Sequence, residues 1–462
     1  MGKELDIFAI LDENTALKTT LAEYKVVFAK MEEKITKLEQ LVASYQVKKD
    51  SHNSSLPPST DLVKPNQSLR PKKSERKRGG QIGHKGSSLK MSDTPDELIV
   101  IEPQFCNKCG NDLSDIGSIF DSRRQVIEIP PVNPLYIEYR SFKKICTCGH
   151  SQVSHYPETV TNHIQYGASV QAIIAYESVR QYTPFKRLRE KLSFLYKLDL
   201  SEGTIRNILH SMALKASPVY DFIQTQVGKA SVVGGDETGV KVGGQKHWAW
   251  VYQTKLMTFI AILASRGQDA VRELFGRGFE NAVLVSDRWQ VQLNTFAKGH
   301  QLCMSHLLRD LNYLIELEKT PWAQKILELF LKALDLKKQT DGYYGPNPKV
   351  LEIEQSLDAL LLENLDQEKQ HKTYVFQKAI LKNREYLFQF LYYPDVPPDN
   401  NASERAVRNL KVKQKVSGQF NGGQQDFAVL RSVIDTIIKL QGNLFQTLLL
   451  IANYKPDPIV AE

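Results

Sequence analysis

The feature that most constrains the fold is a change of hydrophobic period at residue 231. From there, alternating or short continuous apolar runs predict three strands, over residues 231–242, 247–253 and 257–263. A short helix over 269–275 and a fourth strand over 282–287 follow. Asp236 and Asp287 each follow an apolar run, where a carboxylate is costly unless it is solvated, paired or bound to a metal.

Three strands, a helix and a fourth strand is the ribonuclease-H order, in which the first and fourth strands lie side by side. We therefore predict that Asp236 and Asp287 are neighbours. Because adjacent carboxylates repel each other, a divalent metal is expected between them. The third ligand should come from the helix predicted over 401–413, where Glu404 shares a face with basic residues. Asn401-x-x-Glu404 is also a capping-box pattern, so a purely capping role for Glu404 is the alternative.

The N-terminal residues 7–45 carry apolar side chains at alternating three- and four-residue spacing. Five such heptads predict a coiled coil, and Asn14 at a core a position favours a parallel, in-register dimer. We expect a homodimer or a higher oligomer. The alternative is an amphipathic helix that packs on its own chain.

Most of the net charge lies in a short stretch. The whole chain of 462 residues has a net charge of +8, and residues 51–90 hold nine basic and two acidic residues, a net charge of +7. A Gly-rich basic segment of this kind binds polyanions through counterion release, although a solvated linker has the same composition. The residues that we expect to contact DNA here are Arg76, Lys77, Arg78 and Lys85.

Residues 98–160 contain two cysteine pairs, each followed by glycine. We predict a zinc-ribbon-like domain with one structural Zn²⁺, with short strands over 126–129 and 135–142. The predicted ligands are Cys106, Cys109, Cys146 and Cys148. His150 is an alternative ligand because the second pair is spaced CxC, and a disulfide is the alternative chemistry. The fifth cysteine, Cys303, is expected to be buried.

Residues 161–228 are predicted to be helical. The segment from Ser201 to His210 begins with a capping serine and is typical of the second helix of a helix-turn-helix, with Arg206, Asn207 and His210 facing DNA. A helical scaffold that packs on the next domain is the equal alternative.

The ordered set of motifs resembles the transposases of the insertion-sequence 66 family, which carry a DDE triad. The matching motifs are the N-terminal zipper, Asn-Ser-Ser and Pro-Pro-Ser within 53–59, Arg-Gly-Gly-Gln-x-Gly-His-Lys-Gly at 78–86, the Cys-x-x-Cys-Gly domain, Asp-Glu-Thr at 236–238, Ser-Asp-x-Trp at 286–289, Cys-x-x-His at 303–306 and Asn-x-x-x-Glu-Arg-x-x-Arg at 400–408. The chain departs from the family at Gly234-Gly235, where His-Ala is frequent, at the CxC pair and at its end soon after Tyr454.

The resemblance implies a ribonuclease-H-like core with a helical insertion over about 305–398, and the triad Asp236, Asp287 and Glu404. These acids would hold two Mg²⁺ or Mn²⁺ ions for cleavage of element ends and strand transfer into target DNA. The expected phosphate contacts on the last helix are Arg405, Arg408 and Lys411. His306 would orient a phosphate or water, or would be a core or capping histidine. Accessory transposition proteins are further expected partners.

The expected fold class is multidomain α+β. The predicted units are a coiled coil (1–50), a basic linker (51–97), a zinc-binding domain (98–160), a helical domain (161–228), the catalytic domain (229–454) and a tail (455–462). Two rival functions remain open: a non-catalytic zinc-containing DNA-binding regulator, and a nuclease without strand transfer. No apolar run reaches about 18 residues and no secretory signal is evident, so a cytoplasmic, nucleoid-associated protein without membrane contact is expected.

Overall fold

The computed structural model describes residues 7–47, 49–54, 89–339 and 347–455. Its strands are β1 (Lys143–Ile145), β2 (Ser151–Val153), β3 (Val232–Val242), β4 (Gln245–Gln253), β5 (Thr258–Leu263), β6 (Gly278–Ser286) and β7 (Phe296–Leu302). Its α-helices are α1 (Ile7–Gln46), α2 (Ala168–Ala175), α3 (Phe185–Tyr196), α4 (Glu202–Lys229), α5 (Gln268–Phe275), α6 (Gln290–Leu293), α7 (Met304–Glu318), α8 (Pro321–Gln339), α9 (Pro348–Leu361), α10 (His371–Lys382), α11 (Gln389–Tyr392), α12 (Asn401–Ser417), α13 (Gln424–Lys439) and α14 (Leu444–Asn453).

The fold is built around a mixed five-stranded sheet with the strand order β5-β4-β3-β6-β7. β3, β4 and β5 form an antiparallel meander, whereas β6 and β7 run parallel to β3. The predicted adjacency of the first and fourth strands is confirmed, since β3 pairs with β6. The α+β class is confirmed as well, and β7 is a strand that the sequence analysis did not predict.

Helices pack on the sheet and form two hydrophobic clusters with it. The first joins β3, β4 and β5 to α2, α3, α4, α13 and α14. Tyr220 of α4 donates a hydrogen bond to the carbonyl of Ile260 (2.9 Å), and the Ile260 amide donates to Ser432 of α13 (2.9 Å). The second cluster joins Val283 and Val285 of β6 to the helical insertion, α7 to α11.

The predicted helical region before the sheet is confirmed, with α4 as its longest element. Ser201 caps α4 by accepting a hydrogen bond from the Thr204 amide (3.0 Å). α4 packs along the sheet and α13, so it has the scaffold role that was one of the two alternatives. Its exposed Arg206 donates to the carbonyl of Asn421 (2.7 Å), and His210 lies 3.0 Å from a carboxylate oxygen of Asp426.

The predicted N-terminal helix is confirmed as α1. The apolar seam residues from Leu17 to Tyr45 are between 53% and 82% exposed, so no other part of the described chain covers the seam. In the part of the chain that the structure describes, no helix combines the length and apolar character needed to cross a bilayer.

The segment that follows α1 lies against the helical insertion. Asn53 is almost fully buried and donates to a carboxylate oxygen of Glu316 in α7 (2.5 Å). Asn312 of the same helix donates to the carbonyl of His52 (3.1 Å). The Asn-Ser-Ser motif therefore begins with a residue that attaches the N-terminal segment to α7.

The cysteine-containing region is mostly irregular. The short strands predicted over 126–129 and 135–142 are wrong, because neither segment pairs with another strand. Instead β1 and β2 form an antiparallel hairpin whose connecting turn is residues 146–150. Phe105 and Asp112 form an isolated β-bridge. An extended apolar segment becomes a strand only where a neighbouring segment supplies the ladder hydrogen bonds.

The exposed seam of α1 generates the first prediction. Met31→Glu puts two carboxylates into the core of a parallel dimer, whereas Lys30→Glu changes the neighbouring c position, outside the core. We expect the full-length chain and Lys30→Glu to sediment as dimers or higher oligomers at about 20 μM, and Met31→Glu to shift to monomer. A monomeric wild-type chain at that concentration would return α1 to an unpaired helix.

Candidate active site

Asp236 and Asp287 are brought together by the parallel pairing of β3 and β6. Gly234 in β3 pairs with Val285 in β6. Asp236 and Asp287 each lie two residues further along, just beyond the last pair of the β3–β6 ladder. Burial raises the pKa of Asp236 well above its usual value, and the charges of Glu237, Asp287 and Glu404 raise it further. The two aspartates are therefore neighbours, as predicted, and the charge of Glu404 acts on Asp236, although the three carboxylates do not all lie within 4.8 Å of one another.

Neither aspartate has a cationic partner among the described side chains. The Glu237 amide donates to Asp236 (2.9 Å) and the Trp289 amide donates to Asp287 (2.9 Å), but no lysine, arginine or histidine forms an ion pair with either carboxylate. Partly buried carboxylates without such a partner, close to a third acid, are the donor set that Mg²⁺ or Mn²⁺ prefers. The site thus fits a divalent cation.

Glu404 is held by α7 and does not cap its own helix. Its carboxylate oxygens lie 3.6 Å from His306 Nδ1 and 3.5 Å from Arg309 Nη2. A capping box would need Glu404 to bind the Asn401 amide, but that amide donates to Asp399 (3.1 Å). The capping alternative is therefore wrong.

Asn400, directly before α12, ties the helix to the sheet. Its side-chain amide donates to the carbonyl of Gly235 (2.7 Å), and its Oδ1 accepts from Ser403 (2.6 Å). Its backbone amide donates to Cys303 Sγ (3.2 Å), and Gln253 of β4 donates to Ser403 (3.0 Å). All of these residues are buried, so the network fixes the first turn of α12, which carries Glu404, against β3.

The close approach of α12 explains the glycine at 234. A Cβ there would lie 2.7 Å from Ser403 Oγ and 2.8 Å from Asn400 Oδ1, both of which are engaged in the network. The Gly234-Gly235 departure from the family motif thus accompanies a tight strand–helix contact at this site.

Cys303, His306 and Glu404 form the only group of three candidate metal ligands within 4.8 Å among the described residues. Cys303 is buried as predicted, and burial raises the pKa of its thiol to about 12. Because a thiolate is the form that binds metal, and this sulfur already accepts a hydrogen bond, we assign Cys303 a structural role.

The turn that carries Asp287 is held from both sides. Arg288 forms an ion pair with Asp310 of α7. On the other side, the guanidinium of Arg266 stacks 3.8 Å from the ring centre of Trp289. Arg266 and Asp310 were not among the predicted site residues, because each lies outside the quoted motifs.

Basic residues continue along α12 beyond Glu404. The predicted phosphate contacts Arg405, Arg408 and Lys411 are exposed, and so is Lys415, one turn further on, which the sequence analysis did not name. Lys411 donates to the carbonyl of Gly239 in β3 (2.8 Å), which directs it toward the sheet. Asn207 of α4 is exposed as well.

The four cysteines stay in two separate pairs, since no three of their sulfurs lie within 4.8 Å of one another. Backbone amides of the residues that follow, and then the thiol of the second cysteine, lower the pKa of the first cysteine of each pair, Cys106 or Cys146. The four-cysteine zinc site and the His150 alternative stay predictions. Arg76, Lys77, Arg78 and Lys85 lie outside the described residues.

Two protein-family models match the chain. Residues 163–425 match the Transposase IS66 family, and residues 5–90 match a family of unknown function (DUF6444). No curated protein matches the chain. Because the first match spans more than half of the chain, the protein belongs to the IS66 transposase family and is an enzyme of the DNA-transposase kind. Membership implies DNA as a partner and use of a divalent metal.

The Asn400 network generates the second prediction. Asn400→Ala removes the side-chain donor to the buried Gly235 carbonyl and the acceptor of the Ser403 hydroxyl proton, which should lower the free energy of unfolding by about 1–3 kcal/mol. Asn401→Ala is the matched control, because no side-chain hydrogen bond of Asn401 is found among the described residues, and it should cost less than about 0.5 kcal/mol. Urea denaturation measures both. Equal effects of the two substitutions would contradict the assigned role.

Proposed function

We propose that the protein is a DDE transposase with a ribonuclease-H-like core, and that Asp236, Asp287 and Glu404 are its catalytic residues. The observation that carries the proposal is the convergence of these acids from β3, the end of β6 and α12, together with the raised pKa of Asp236. The strand order, with two parallel strands added to an antiparallel meander, supports the ribonuclease-H-like assignment.

The three carboxylates would hold two Mg²⁺ ions, or Mn²⁺. Bound there, the metal would supply a Lewis acid for an in-line phosphodiester displacement. Asp236 and Asp287 supply oxygen ligands on the rigid sheet edge. His306 and Arg309 lie 3.6 and 3.5 Å from the Glu404 carboxylate and would orient it toward the aspartates, and His306 would also orient a phosphate oxygen or a water.

DNA would enter along the exposed basic face of α12. Arg405, Arg408 and Lys411 are the proposed phosphate contacts, and Lys415 extends the same face by one turn. Arg206 and Asn207 on α4, and the basic segment with Arg78, are further proposed contacts. The reaction would be hydrolysis at an element end that frees a 3′-hydroxyl, followed by attack of that hydroxyl on target DNA.

Two further units complete the proposal. The paired cysteines would hold one structural Zn²⁺, and α1 would join two copies so that both element ends are held together. A catalytically inert DNA-binding regulator would leave three acids unexplained at one sheet edge. A nuclease without strand transfer is separated from a transposase by the assay described next.

The third prediction concerns Asp236→Asn, Asp287→Asn and Glu404→Gln. Each keeps the side-chain shape but removes a charge that binds metal, so each should lower Mg²⁺-dependent cleavage of element-end oligonucleotides about a thousandfold or more. Binding of the same DNA should stay within about threefold, because the phosphate contacts are elsewhere.

Glu273→Gln, an exposed acid on α5, is the control and should cleave normally. Strand-transfer products by the wild type distinguish a transposase from a simple nuclease. Near-normal transfer by Glu404→Gln would remove Glu404 from the triad, and hydrolysis without any transfer would favour the nuclease.

A further inference from the structure

Arg266, in the connection between β5 and α5, lies beside two tryptophans. Its guanidinium carbon is 3.8 Å from the ring centre of Trp289 and 4.4 Å from that of Trp248. The connection itself is fixed, since the Trp250 indole donates to the carbonyl of Ser265 (3.1 Å). A planar guanidinium stacked on aromatic rings has its orientation set by those rings.

The same guanidinium binds a buried carboxylate. Its Nε and Nη2 donate to Glu237 Oε1 at 3.1 and 2.8 Å, and Gln292 of α6 donates to Glu237 Oε2 (3.2 Å). The Glu237 side chain is only 3% exposed. A buried carboxylate without a partner is strongly unfavourable, so this ion pair fixes Arg266 from the strand side.

This pair is connected to the candidate metal ligands at both ends. Glu237 follows Asp236 in β3, and Trp289, which stacks on Arg266, donates its backbone amide to Asp287 (2.9 Å). The residue between Asp287 and Trp289 is Arg288, which is anchored separately to α7. A chain of direct contacts thus joins Asp236 in β3 to Asp287, which directly follows β6.

We propose that Glu237, Arg266 and Trp289 form a brace that positions Asp287 relative to Asp236 for binding a divalent cation. These three are positioning residues: they act through the backbone amide of Trp289, and Arg266 keeps the Glu237 charge paired beside the site. The inference rests on the proposed function, because it presumes that the two aspartates share a cation.

A purely structural ion pair would contribute to stability without changing cation affinity. Trp289 distinguishes the two roles. Trp289→Phe keeps an aromatic face for Arg266, whereas Trp289→Ala removes it and leaves the Asp287 turn free on that side. Lys246→Gln is a matched control, because Lys246 also lies over Trp248, at 4.6 Å, but is exposed.

The experiment measures Mn²⁺ binding to the full-length chain by electron paramagnetic resonance, together with the Mg²⁺ concentration that half-activates cleavage. Asp287→Asn defines the binding that belongs to the site. We expect Arg266→Gln and Trp289→Ala to weaken this binding at least tenfold and to raise the half-activating Mg²⁺ concentration equally. Trp289→Phe and Lys246→Gln should stay within twofold of the wild type.

Circular dichroism identifies variants that do not fold. If Arg266→Gln is one of them, the Mn²⁺ affinities of Trp289→Phe and Trp289→Ala test the proposal. Wild-type affinity in Trp289→Ala, or a loss of maximal rate at unchanged affinity, overturns the brace while leaving the catalytic proposal intact. A wild-type chain that binds no Mn²⁺ at the site overturns both.

Discussion

The hydrogen-bond network of Asn400 is the interaction on which the candidate site depends. Asp236 and Asp287 are brought together by the pairing of β3 and β6, but Glu404 arrives on a helix more than a hundred residues later, after the whole helical insertion. Asn400 joins β3, the start of α7 and the first turn of α12 through three hydrogen bonds. Glycine at 234 leaves the room that this contact requires.

The network holds together groups that repel one another. Asp236, Asp287 and Glu404 bring three negative charges to one region. Of these three acids, only Glu404 has basic partners among the described residues, His306 and Arg309. The folding energy of the two hydrophobic clusters must therefore outweigh the cost of burying the Asp236 carboxyl among like charges. Such an arrangement is expected where a cation completes the site and is unfavourable elsewhere.

The strands and acids of the site could be predicted from the sequence because their signals are local. Alternation predicted β3, β4 and β5, and two aspartates after apolar runs indicated where β3 and β6 bring carboxylates together, although Asp236 lies within β3 and not at its end. β7 could not be predicted, because Gln301 is a fully buried polar residue in a strand with little alternation. Gln301 is satisfied by the carbonyl of Leu387 and the amide of Phe390, which only the folded insertion brings close.

The supporting residues of the site were missed for the same reason. Asn400 and Glu237 stood inside quoted motifs, but their partners lie 165 and 29 residues away, and no local pattern connects them. Conversely, the short strands predicted over 126–129 and 135–142 have no partner in the described chain. Local periodicity predicts elements well, whereas polar contacts between distant segments require the fold.

Thermal unfolding of the wild type and Asp236→Asn, with and without Mg²⁺, tests the central claim most directly. Because the pKa of Asp236 is higher in the folded chain than its usual value, its charged form costs stability at neutral pH when no cation is bound. Without Mg²⁺, Asp236→Asn should therefore unfold at a higher temperature than the wild type. Added Mg²⁺ should raise the wild-type midpoint and leave that of the variant almost unchanged. A variant that is less stable without Mg²⁺, with both midpoints shifting equally on its addition, would contradict a shared carboxylate site for a divalent cation.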